Sequence, residues 1–310
     1  MAGRIAQSDM VGMHVHLQAG LRSGARGGVA QHLDALRPAL HAQGVVLTRG
    51  APLLHVNPSL RWRALLRDLT RTQLALLRGR RVLWHLHGWS EALAAGLGRV
   101  SLQGRVPARM RVVTLTEHRR RQLVSWGVPV EQTAVVGPCA RSFALPPRDA
   151  AGPLLFLGRL VAGKGVHRLL EAAGSRRVVI AGEGAERARL EALAARLPVR
   201  ARFVGWVPDV EPLLAECSAL VLPSDDEGLP VCVLEALGSG RPVVATAVGG
   251  LPELLGDRLV PPGDTPALAA ALERVDDVPP SLQAEIRARY APQAVAKQLL
   301  AVYTELMEVP

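Results

Sequence analysis

The run 154-LLFLGRLVAGKG-165 is followed by 178-VVIAGEGAE-186, 203-FVGWVPDVEPLL-214 and 220-LVLPSDDEGLPVCVLEALGSGRPVVATAVGGLPELL-255. Each opens on a short apolar run that breaks at glycine or proline and gives way to an amphipathic stretch. That rhythm predicts parallel α/β structure. LLFLG, RVVIAG, RARFVG, SALVLPS and RPVVAT read as strands. GVHRLLEAAG, AERARLEALAARL, DVEPLLAEC and PVCVLEALGSG read as the helices between them.

The same rhythm runs upstream. MVGMHVHL predicts a strand, GGVAQHLDALRPALHAQG a helix, and RRVLWHLHG a strand ending in a loop. RVVTLT is a strand, EHRRRQLVSWG a helix and QTAVVG a strand. The Pro/Gly-rich stretch 137–153 then reads as a linker. The tail from Thr265 to Met307 is mostly helical, with a break at Pro279-Pro280. Three segments are expected: an N-terminal Rossmann-like domain over 1–145, a second over 146–290, and a C-terminal helix over 291–310 that packs back toward the first domain. In such sheets ligands bind beyond the carboxyl ends of the strands, so a central cleft between two facing domains is the expected site.

The net charge of +10 is unevenly spread. Residues 1–150 carry 21 arginines, no lysine and 7 acids, whereas 151–310 carry 16 basic and 20 acidic residues. A basic first half suits an anionic partner: a membrane surface or a phosphorylated acceptor. Arginine on solvated faces is the plainer alternative. Nucleic acid is not expected, because no helix-turn-helix, zinc or ribonucleoprotein signature is present. The first twenty residues lack an apolar signal core, and no apolar run matches a bilayer in length. Cys139, Cys217 and Cys232 lack metal or redox spacing and read as buried thiols. A cytoplasmic protein is expected, with the basic domain at the inner face of a membrane.

Lysine occurs only at 164 and 297. Lys164 and Arg159 follow a predicted strand and lead into a helix, where unpaired amides and directed cations suit phosphate. Glu227 and Glu235 flank GLPVCVL; with a helix starting near Pro230, Glu227 lies in the loop and Glu235 inside the helix. Carboxylates there suit sugar hydroxyls, and the amides of Gly228, Leu229 and Pro230's neighbours lie at a helix N-terminus. Asp225 and Asp226 make a metal site conceivable, although consecutive acids before a helix are more often a solvated cluster. Gly249-Gly250 and Gly27-Gly28 permit close backbone approach or plain turns. His85 and His87 share a strand face, and His87, nearer the carboxyl end, is the better site candidate. A metal reading would need a third ligand. Trp84 and Trp89 read as core or as a stacking platform for sugar.

The set Gly158-Arg159-Leu160, Lys164-Gly165, Ala181-Gly182-Glu183-Gly184, Phe203-Val204-Gly205, Leu222-Pro223-Ser224, Glu227-Gly228, Glu235-Ala236-Leu237, Gly240-Arg241-Pro242-Val243-Val244 and Gly249-Gly250 resembles the family-4 (GT4) retaining glycosyltransferases of the GT-B fold. Pro138-Cys139 stands where that family often has Asn-Gly. The resemblance implies two Rossmann-like domains and a metal-independent hexosyl transfer from a nucleotide sugar, UDP- or GDP-linked, with no other cofactor. It implies that Arg159 and Lys164 grip the diphosphate, Glu235 holds the ribose, and Glu227 with Gly228, Leu229 and Pro230 orients the sugar. Gly158, Gly205 and Val207 would lie along the donor, with the last two near the base. Gly27, Gly28 and His87 would approach it from the first domain. An epimerase or hydrolase of nucleotide sugars, or a catalytically silent docking protein, are the alternatives.

Overall fold

The computed structural model describes residues 12–19, 27–58, 62–88 and 106–310. The chain forms two compact units. Unit 1 comprises residues up to Cys139 together with Pro292–Pro310, and unit 2 is the uninterrupted segment Ala140–Ala291.

Unit 1 runs β1 (Met13–Ala19), α1 (Gly28–Ala42), β2 (Val45–Leu47), β3 (Leu53–Asn57), α2 (Trp62–Leu77), β4 (Arg81–Leu86), β5 (Met110–Thr114), α3 (Glu117–Ser125) and β6 (Thr133–Val135) among the described residues. Its sheet is parallel, in the order β2-β1-β3-β4-β5-β6. Strand alternation divides the residues between two cores. Val15, Leu53, Leu83 and Val113 face one core with Leu33, Leu36 and Leu40 of α1. Leu54, Val56, Val82, Trp84 and Val112 face the other, beside Leu65 and Ala75 of α2. Trp84 is therefore a core residue, its indole N–H donating to Thr72 Oγ1 at 2.8 Å; Trp89 lies outside the described residues. Thr116 caps α3, its hydroxyl accepting from the Arg119 amide at 3.3 Å.

Unit 2 runs β7 (Leu154–Leu157), α4 (Val166–Ala172), β8 (Arg177–Ala181), α5 (Arg187–Ala194), β9 (Arg200–Gly205), α6 (Glu211–Glu216), β10 (Ala219–Leu222), α7 (Val231–Gly238), β11 (Val243–Ala245), α8 (Leu251–Leu255), α9 (Thr265–Glu273) and α10 (Pro280–Tyr290). Its sheet is also parallel, ordered β11-β10-β7-β8-β9. β7 and β10 are buried along their whole length, as expected of strands covered on both faces. The last helix, α11 (Pro292–Glu308), belongs to unit 1 and sends Val295, Leu299, Tyr303 and Leu306 into the core on the α1 side. Two parallel-sheet, Rossmann-like units with flanking helices are the architecture of the GT-B fold.

The strand orders locate two crevices. In unit 2 the chain first winds outward through β8 and β9, then returns to place β10 on the other side of β7. β7/β10 is thus the point where strand order reverses, and the carboxyl ends of these two strands part to leave room for a ligand. In unit 1 the equivalent reversal falls at β1/β3.

Candidate functional site

The loops that leave β7 and β10 at this reversal carry the residues singled out above. Gly158 and Arg159 follow β7, and a short 3-10 turn, Ala162–Lys164, follows them. Pro223 to Pro230 follow β10 and lead into α7. The loops are stitched together. The Asp225 amide donates to the Gly163 carbonyl at 2.9 Å. Arg168 of α4 donates to the Pro223 carbonyl at 2.7 Å and to Asp225 Oδ1 at 2.5 Å. Gly165 has φ +64°, and a Cβ there would run into the Pro223 carbonyl, so only glycine lets the two loops close.

This closure seats Lys164 against Glu227, whose side chains are 18% and 9% exposed. Lys164 Nζ donates to Glu227 Oε1, and the same oxygen accepts from the buried Ser224 hydroxyl at 2.7 Å. Thr246 at the end of β11 donates in turn to the Ser224 carbonyl at 2.5 Å. Glu227 therefore sits in a built socket rather than in a solvated acidic run. Asp225, two residues earlier, is held by Arg168. Gly249, at φ +59°, would carry a Cβ into the Glu227 carbonyl, and the Gly250 amide donates to the Gly228 carbonyl at 2.7 Å. The close approach that this glycine pair permits is to the Glu227 loop.

α7 begins at Val231, with Pro230 as its N-cap and no side chain capping its leading amides. Gly228 is half-buried and Leu229 buried. Glu235, a turn inside the helix, is 2% exposed. Burial pushes its carboxyl above the ordinary glutamate range, against the pull of Arg141, whose Nε donates to Glu235 Oε1 at 3.3 Å. Arg141 lies between this carboxylate and Asp209, 3.9 Å away. Between the two glutamates sits Cys232, its thiol pushed up to about 12 by burial and by Glu227 and Glu235. Arg159 is exposed, and its guanidinium makes no hydrogen bond or ion pair among the described residues. Gly205 ends β9 at φ +74°, beside the Glu183 carboxylate, and Val207 follows it half-buried. The result is a cation open to solvent, an ion pair, uncapped helix amides and a buried carboxylate gathered around one sheet edge. Such a set can hold a diphosphate and several hydroxyls together.

In unit 1, Gly27 has φ +117° and Gly28 opens α1, both exposed beyond the β1 strand. His87 lies just past β4, its ring centroid 4.2 Å from that of His85 and 4.4 Å from that of His32 on α1. His32 is the third histidine that the sequence did not disclose, and one nitrogen from each ring lies within 4.8 Å of the others. Their hydrogen bonds decide what the trio can do. The Cys139 amide donates to His32 Nδ1 at 2.9 Å, so the neutral His32 ring carries its proton on Nε2. His85 Nε2 donates to the Val136 carbonyl at 3.0 Å, leaving a bare Nδ1. A metal held by all three would need a lone pair on His32 Nε2, which the Cys139 amide denies it. The donor set suits a packed cluster of neutral rings better than an ion. Burial lowers the pKa of all three, with His85 at about 4.

Residues 152–276 match the family described as Glycosyl transferases group 1. The chain is 33% identical to the 2-deoxystreptamine glucosyltransferase of Streptomyces kanamyceticus over 164 residues, which is 48% of this chain and 42% of that protein. It thus spans less than half the length of that relative. By structure it is similar to Anabaena HepE in complex with UDP-glucose, at a TM-score of 0.73 and 18% identity, covering 94% of this chain and 99% of that one. It is likewise similar to the sucrose-phosphate synthase of Thermosynechococcus elongatus, at a TM-score of 0.77 and 20% identity, covering 96% and 99%. At these identities the structural likeness speaks for the fold. Together the findings give a fold similar to that of GT-B glycosyltransferases and a match of residues 152–276 to Glycosyl transferases group 1.

Ser224, Arg141 and Arg168 are the site residues that sequence reasoning missed. Ser224 stood inside the quoted motif, one step before the acids. Arg141 lies in the linker, 94 residues from its partner, and no local pattern marks it.

Proposed function

We propose that the chain is a retaining, metal-independent glycosyltransferase that moves a hexosyl group from a UDP- or GDP-linked sugar to an acceptor taken by unit 1. The observation that carries this reading is the β7/β10 crevice, where Arg159, the Lys164–Glu227 pair, the uncapped start of α7 and the buried Glu235 converge. Arg159 and Lys164 would bind the diphosphate and offset the negative charge that grows on it as the glycosidic bond breaks. Lys164 would turn from Glu227 toward phosphate, freeing that carboxylate to accept from donor hydroxyls. The amides of α7 would meet the same phosphates. Glu235, desolvated and hydrogen-bonded through Arg141, would accept from the ribose hydroxyls. Gly205 and Val207 would border the base. Gly27, Gly28 and His87 lie at the carboxyl edge of the unit 1 sheet, the edge expected to serve the reaction.

Retention fits a front-face displacement. The bond from anomeric carbon to phosphate oxygen breaks, the acceptor oxygen bonds on the same face, and its proton passes to the departing phosphate. Glu227, still held by Ser224 once Lys164 turns to phosphate, would orient the sugar rather than attack it.

The reading is tested by the melting temperature of the protein with UDP, GDP, ADP or TDP and their sugars, with and without EDTA. A shift with one nucleotide that survives EDTA is expected. Its absence with all four would remove the donor site. Sugar released at a rate independent of any acceptor would replace transfer by hydrolysis.

A further inference from the structure

The helix α2 presents an outer face unlike that of any ordinary solvated helix. Its outward positions from Leu66 to Arg78 are leucine, arginine, threonine and glutamine, with no acid among them. Leu66, Leu74 and Leu77 are 54%, 45% and 81% exposed, and these make up half of the large apolar side chains exposed among the described residues. The single acid of the helix, Asp68, is buried and taken by Arg67 and Gln18. A solvated face mixes charges of both signs. This one alternates apolar bulk with positive charge.

Beside Leu74 the helix borders a cavity of about 360 Å³. Arg71 of α2 lines it, with Arg78 just past that helix, Arg49 and Arg80 from the turns before β3 and β4, and His16 from β1. Arg80 is fixed, donating to the Ala51 carbonyl at 2.7 Å and lying 3.4 Å from His16 Nδ1. Arg49, Arg71 and Arg78 make no ion pair among the described residues, and no acid lines the cavity. The field is strong enough that burial and then Arg80, Arg49 and Arg71 hold the His16 ring below its ordinary pKa. Four guanidinium groups around one hollow, with no acid among them, concentrate anions there. The cavity opens beside the amino ends of β3 and β4, whereas His87 follows the carboxyl end of β4. It is therefore separate from the edge that serves the proposed reaction.

We propose that this face is a docking site for an anionic phospholipid surface: Leu66, Leu74 and Leu77 enter the interface, and the arginine-lined cavity receives a lipid phosphate. The charge supplies the complementarity and the leucines supply what a soluble anion would not need. No described helix is long and apolar enough to cross a bilayer. Docking is independent of the transfer reaction and requires no nucleotide sugar.

The test is co-sedimentation of the full chain with phosphatidylcholine vesicles, with and without phosphatidylglycerol, at low and high salt. Binding is expected on the anionic vesicles alone and should weaken as salt rises. Arg71→Ala with Arg78→Ala should lower the partition coefficient about thirtyfold, at roughly a factor of five for each interfacial cation. Leu74→Ser with Leu77→Ser should lower it roughly tenfold while keeping the charge. These side chains are exposed, so far-UV circular dichroism should be unchanged. Arg196→Ala with Arg202→Ala, on exposed positions of unit 2, should leave binding as it was. Equal binding to neutral vesicles, no binding to anionic ones, or equal losses with the unit 2 pair would overturn the proposal. So would self-association abolished by the leucine changes, which would make the face a contact between copies, or RNA binding that outcompetes the vesicles.

Discussion

Lys164 and Glu227 hold each other, and that pairing sets what single substitutions should do. Lys164→Ala should lower kcat by roughly a hundredfold to a thousandfold, the scale for removing one group that meets developing charge. Ser224 still donates to Glu227, so the melting temperature should move little. A variant that keeps full turnover would cancel the diphosphate role. Glu235 gives the opposite balance. Its carboxyl is buried and pushed up, so the charged form is costly there. Glu235→Gln should keep or raise the melting temperature and raise KM for the donor about tenfold, since one acceptor oxygen is lost. A lowered melting temperature with unchanged KM would mean that the carboxylate serves the fold through Arg141. Gly249→Ala should cost roughly 2 kcal/mol or more from its left-handed backbone, and displace the Glu227 loop as well. Thermal unfolding alongside donor affinity would register both effects.

Among the elements, the strands and helices of unit 2 are readable from sequence because four of the five short apolar runs end in a glycine or proline. Gly182 is such a case, with φ +144° and a Cβ that would run into the Gly158 carbonyl. β2, β3 and α2 escape the same reading. β3 is buried at all five positions and so shows no alternation. β2 has three residues, and α2 turns leucine outward. Pro279-Pro280 does interrupt the helical tail, but by starting α10, with Pro279 as N-cap and Pro280 in its first turn. The site divides along the same line. Arg159, Lys164, Glu227 and Glu235 stand at spacings set by local turns, whereas the pairing of Arg141 with Glu235 and of His32 with His87 arises only when distant elements meet.

That last meeting has a consequence for pH. His32 on α1, His55 on β3 and His85 on β4 are buried, His87 beyond it is half-buried, and all four are kept neutral, chiefly by desolvation. Their folded pKa values lie below the unfolded value of 6.5. Stability is therefore intact above pH 6.5 and falls as acid protonates the unfolded chain first, down to about pH 4 for His85. Each histidine should contribute a slope of about 1.4 kcal/mol per pH unit in that window. Urea unfolding followed by Trp84 fluorescence from pH 7 to pH 4 should show the slope, and His85→Asn should flatten it. A level profile would mean that these rings are protonated in the folded unit.

At the scale of the whole molecule, unit 1 closes only with α11. Val295, Leu299, Tyr303 and Leu306 are fully buried in its core, and Tyr303 pairs with His55 Nδ1 at 2.5 Å. At about 2 kcal/mol for each large side chain, their burial rivals the net stability of a domain. Truncation after Ala291 should therefore unfold unit 1 and spare unit 2. Limited proteolysis should then yield a resistant fragment spanning roughly 140–291; loss of that fragment too would show that unit 2 cannot stand alone.

Because the chain leaves unit 1 at Cys139 and returns at Pro292, the order of synthesis is not the order of completion. On the ribosome the first strands emerge early, yet they must wait for the final helix while unit 2 is translated and folds as one continuous segment. The half of the protein made second is thus the first to be finished, and the nascent first half, with its arginine-rich surface and open core, is the part that chaperones would have to shelter.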